Sequence, residues 1–150
     1  MSRRIAVAIG LLINIHSFSA SAQTPRTEDA IRYRRAAMVM VKWHFDRLSE
    51  LTKGKVPFTR EEAERNAAWL DALSKNAAEG FVPGSHEGDT RALAAVWSDR
   101  SKFRNLVERF QSDASKLRES ARIGDAAAIK SQLDNMAHTC KSCHDDFKKS

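Results

Sequence analysis

Apolar residues recur at helical spacing along four stretches of the chain, and no stretch alternates as a strand does. In the first, from about Thr27 to Lys53, the residues Ile31, Met38, Val41, Phe45 and Leu48 share one face, and Gly54 followed by Pro57 predicts the stop. The second runs from about Thr59 to Ala78. Thr59 and Glu62 have the spacing of a capping box, and Ala63, Ala67, Leu70, Leu73 and Ala77 form a stripe whose small residues permit close approach of a neighbour. The third runs from about Ser98 to Ile123 with Phe103, Leu106, Phe110, Ala114, Leu117 and Ala121 inward, and Gly124 ends it. Asp125 caps the fourth, which continues to about Lys148. There Ile129, Leu133, Met136, Cys140, Cys143 and Phe147 step by four, three, four, three and four, the seam of a helical bundle.

Residues 79–97, with Gly80, Pro83, Gly84 and Gly88, form the longest connection, expected to cross the molecule and to carry polar contacts to a cofactor edge. The predicted class is all-α: one antiparallel four-helix bundle, up-down-up-down, with no internal repeat. Residues 1–22 read as a cleavable secretory signal peptide. Arg3 and Arg4 lead, Ile5 to Ile15 is apolar but short for a membrane span, and Ala20-Ser21-Ala22 fits the small-residue cleavage rule. Removing it leaves residues 23–150, one domain of 128 residues with 23 Lys and Arg against 19 Asp and Glu. No basic cluster interleaved with aromatics is present, which argues against a nucleic-acid partner.

The chemistry concentrates in Cys140-Lys141-Ser142-Cys143-His144, the spacing by which a c-type haem is attached. At about 100° per residue the three reactive side chains fall within roughly a 100° arc of one helix. Two thiols can then bond two vinyl groups on one porphyrin edge while an imidazole meets the iron. A thioredoxin-like dithiol calls for a βαβ setting, and a zinc site needs a second ligand pair where the chain has no third cysteine. A structural disulfide is the remaining bland reading. Covalent haem, one per chain, with His144 as the axial metal ligand accounts for all three residues, and with the leader it points to a bacterial periplasm.

Six residues follow His144 and none is Met, so a sixth ligand is sought upstream among Met38, Met40, Met136, His44, His86 and His138. Met136 and His138 share the motif's own helix, Met40 points off the stripe, His86 lies in a polar loop, and His44 sits beside Trp43 off the main stripe. Met38 lies squarely on the stripe. It reads either as core filler against the distal haem face or as an iron ligand.

The chain resembles the cytochrome c′ family, the class II c-type cytochromes. The similar stretches include Glu28 through Arg34, Trp43-His44-Phe45, Lys53-Gly54, Val56-Pro57-Phe58, Pro83-Gly84, Trp97-Ser98-Asp99 and Cys140 through Phe147. The resemblance implies a left-handed antiparallel bundle, commonly a homodimer through the first two helices. It further implies five-coordinate high-spin iron with His144 proximal and Met38 closing the distal face. Arg34 matches an arginine near a haem propionate and Asp89 a loop aspartate near the haem edge. Arg35 stands where Gln is frequent, and Lys148 where many members carry Arg.

Three functions follow as expectations. The first is binding of small neutral gases such as NO and CO at an open sixth position, with electron exchange possible. The alternative is a low-spin one-electron carrier in which Met38 is the sixth ligand. An enzyme such as a peroxidase calls for a distal His or Arg, and none is placed for it, so no catalytic residue and no enzymatic role are expected.

Overall fold

A computed structural model describes residues 26–150; the predicted signal peptide lies outside the described residues. The helices are α1 (Thr27–Thr52), α2 (Arg60–Asn76), α3 (Ala95–Ser98), α4 (Arg100–Ile123) and α5 (Ala126–Phe147). The four long ones pack in a ring: α1 against α2 and α5, and α4 against α2 and α5. Contacts between early and late residues give the directions. Tyr33 meets Asn76 while His44 meets Asn66, Gln111 meets Ser74 while Arg118 meets Asp71, and Phe103 meets Phe147 while Thr139 meets Asp113. Each neighbour is antiparallel, as the short links predict.

The local signals act where the sequence places them, with some differences. Asp125 accepts from the amides of Ala127 and Ala128 at 2.9 and 3.0 Å, satisfying donors that the start of α5 leaves free. Gly124 adopts φ +83°, the left-handed conformation that ends α4. Only half of the expected capping box forms: Thr59 Oγ1 accepts from the Glu62 amide at 3.2 Å. The Glu62 carboxylate turns instead to Arg65 and Arg47. The start expected at Ser98 is displaced, because Asp99 takes the capping role and accepts from the Lys102 amide. The preceding residues fold into the short α3, and α2 ends at Asn76 rather than Ala78.

The long connection does not run the length of the bundle. Its two ends lie at the same end as the start of α1 and the finish of α5, and it crosses that mouth. Leu93 N donates to Phe147 O at 2.9 Å and Lys149 N to Arg91 O at 2.8 Å, an isolated bridge that ties it to the chain after α5. At its near end, a Cβ on Gly80 stands 2.7 Å from Arg34 Cβ and 2.8 Å from Ala30 O. Only glycine permits this approach to α1.

The apolar core fills one half of the bundle. Leu48, Leu70, Leu117, Ile129 and Met136 are fully buried, with Ala63, Ala67, Ala114 and Ala121 letting the helices close around them. Each large side chain contributes roughly 1.5–3 kcal/mol by leaving water. In the other half the seam continues, but Met38, Phe45, Phe103, Leu106, Phe110, Cys140 and Cys143 stay partly exposed. These uncovered inward positions are where the site lies.

Candidate haem site

Between the four long helices, at the end crossed by the long connection, is a cavity of about 380 Å³. Met38, Val41 and Phe45 line it from α1, Ala77 follows α2, and Phe103, Leu106 and Phe110 line it from α4. Phe81 closes it from the connection, in contact with Phe103 at 4.9 Å between ring centroids. Cys140, Cys143 and His144 stand together on the α5 wall. The walls are apolar because each contributing helix brings its stripe there, and the stripes have no partner side chains to meet.

The thiols are free and half-buried. Burial raises the Cys143 pKa to about 11, with Cys140 and Asp146 adding to the effect, and burial followed by the Asp113 charge raises that of Cys140. Both are neutral thiols at physiological pH. His144 keeps a solvent-exposed edge, yet the packing around its ring lowers its pKa, helped by the charges of Lys148 and Arg91. The imidazole is therefore neutral above its ordinary titration range, the form that binds a metal.

Of the six Met and His residues considered for the far side, Met38 alone lines the cavity. Met136 is sealed in the core, and Met40 is exposed. His44 stacks on Trp69 at 5.6 Å and pairs with Asn66 at 2.9 Å, on the α1–α2 side. His138 is exposed. His86 is half-buried rather than fully at the surface, with its ring 5.4 Å from that of Trp97.

Arg34, Arg35 and Asp89 do not line the cavity. Arg34 is not a solvated helix arginine: it is 3% exposed. Its Nη1 donates to Gly80 O and Ser85 Oγ at 2.8 and 2.6 Å, and its Nη2 to Ser85 O and to Thr90 Oγ1 at 2.7 Å. The guanidinium also lies 4.9 Å from the Phe81 ring centroid, a favourable cation–aromatic contact. With both terminal nitrogens committed to protein acceptors, Arg34 holds the connection, and thereby Phe81, against the cavity mouth. Arg35 and Asp89 form an exposed ion pair with each other beside this anchor.

The Cytochrome C′ family model matches residues 29–148. This chain belongs to the cytochrome c′ family. A cytochrome c′ of Rubrivivax gelatinosus is 37% identical over 127 residues, covering 84% of this chain and 98% of that protein. One from Alcaligenes xylosoxydans xylosoxydans is 32% identical, covering 85% and 98%. A solved cytochrome c prime from Shewanella frigidimarina superposes with a TM-score of 0.81 at 38% identity, covering 85% of this chain and all of that one. The family's cofactor is a covalently attached haem c. The residues here suit it: two neutral thiols and a neutral imidazole share one wall of an apolar cavity wide enough to touch four helices.

Three features of the site were missed in the sequence. Phe81 sits in a loop that periodicity does not describe, and Lys42 reaches the cavity rim one helical turn after Met38. The third is Asp113, 8% exposed, which accepts from Thr139 Oγ1 at 2.6 Å. Its signal was available: three residues after Phe110, it falls on the inward edge of the α4 stripe.

Proposed function

We propose that this chain is an exported, periplasmic haem c protein. Cys140 and Cys143 form its thioethers, His144 is the proximal ligand, and an open sixth position behind Met38 takes small neutral diatomics. Bound haem supplies a redox-active iron with an axial position for such a ligand. The protein's part is selection. Apolar walls from α1 and α4 disfavour water and anions, since a polar species entering them loses hydration without recompense.

The observation that carries this reading is the state of the polar side chains on the cavity wall. Thr139 donates to Asp113, Ser74 donates to Asp71 O at 2.8 Å, and Lys42 pairs with Asp46. The hydroxyl hydrogens of Thr139 and Ser74 are thus committed to protein acceptors, and the Lys42 side chain is largely exposed at the rim, so NO and CO, which do not depend on a distal donor, are favoured over O₂. In support, solved relatives from Alcaligenes xylosoxidans include variants holding nitric oxide and carbon monoxide. Titrating the ferrous protein anaerobically with NO is expected to saturate at one NO per haem. Absence of a saturable spectral change contradicts the proposal.

Electron exchange and self-association complete it. Among the described residues no helix is long and apolar enough to cross a membrane. Val39, Met40 and Trp43 on α1 and Trp69 on α2 are exposed on one side of the bundle, an apolar face suited to a second copy. Sedimentation equilibrium at twice the protomer mass is the expected result, and a monomer at high concentration contradicts it.

A further inference from the structure

Among the described residues two carboxylates, Asp71 and Asp113, are buried, and they are treated differently. Asp71 receives Lys75, Arg118 and Ser115, each at 2.9 Å. Asp113, between α4 and α5, receives only the neutral hydroxyl of Thr139, itself 3% exposed. Among the described residues no Lys, Arg or His forms an ion pair with it. An ionised carboxylate withdrawn from water calls for a counter-charge, and one neutral donor does not supply it.

The surroundings indicate where that counter-charge belongs. Thr139 lines the cavity and directly precedes Cys140, and the Asp113 charge is felt at the Cys140 thiol. The cavity's own basic groups do not answer it. Lys42 is paired with Asp46, and neither it nor His144 forms an ion pair with Asp113. A haem attached at Cys140 does answer it, because its iron gains one positive charge on oxidation, and the interaction acts through a poorly polarisable interior.

We propose that Asp113 tunes the haem electrostatically: its buried negative charge, positioned against the cavity wall by Thr139, favours oxidised over reduced iron and lowers the reduction potential. The proposal rests on attachment at Cys140 and Cys143. It separates Asp113, which acts by charge, from Thr139, which acts by holding the carboxylate in place. A purely structural role, clipping α4 to α5 in register, predicts altered stability with an unchanged potential.

The test is a spectroelectrochemical titration of the holoprotein at fixed pH and ionic strength. Asp113→Asn keeps an acceptor for Thr139 and removes the charge, while a double variant, Asp113→Ala with Thr139→Val, removes the pair altogether and leaves no orphaned polar group. Both are expected to raise the potential by similar amounts without a change of spin state. An unchanged potential in Asp113→Asn, or a shift confined to the double variant, overturns the proposal, and either variant decides it if the other fails to fold. Wild-type protein carrying no covalent haem sinks the attachment reading instead, a failure visible before any titration.

Discussion

Replacing Cys140 and Cys143 together by Ala is expected to leave the chain without covalent haem. The two thiols are one turn apart on α5 and stand on the same cavity wall. They are held neutral by burial, with Cys143 raised to about 11, so neither is an exposed, reactive thiolate serving redox exchange. Nor are they joined to each other: both are free. Each single replacement should retain one thioether, and the pair should lose both. Extraction with acidified acetone reads this directly. Pigment should stay with the wild-type polypeptide and pass completely into the solvent from the double variant. Pigment that remains bound to the double variant after denaturation contradicts the assignment.

The second large effect is expected from Met38→Ala. Met38 lines the cavity from α1, half-exposed, on a flexible unbranched side chain with three rotatable bonds. Such a side chain can close an apolar site and still yield to a diatomic, at the cost of a barrier to entry. Truncating it should accelerate CO association with the ferrous protein by at least about tenfold, equivalent to about 1.4 kcal/mol from the barrier, while the iron stays high-spin before and after the change. The electron-carrier reading predicts something else. If Met38 bonds the iron, its removal converts a low-spin protein that ignores CO into a high-spin one that binds it. Stopped-flow mixing with absorption spectra of both proteins separates the two patterns.

Much of the bundle was legible because its seam is regular. The α5 steps from Ile129 to Phe147 and the caps at Asp125 and Gly124 specify a helix, its bounds and its buried face together. What periodicity could not reveal is what covers an apolar position. Phe103, Leu106 and Phe110 read as core on the same terms as Ala114 and Leu117, yet the first three line a cavity and the last two are sealed. The distinction depends on how all four helices meet at one end.

The same limit applies to the anchoring role of Arg34, which is separate from the propionate contact its family match implies. Its four acceptors come from residues 46 to 56 positions later in the chain, a folding-back that no local pattern encodes. The motif itself was legible because attachment chemistry demands two thiols and an imidazole at fixed spacing on one helix face.

The central claim is an iron held by His144 with its other axial position open behind Met38. The absorption spectrum of the ferrous holoprotein, recorded before and after CO, tests it most directly. A broad high-spin spectrum that shifts on CO addition is the predicted result, and a sharp low-spin spectrum unmoved by CO contradicts it.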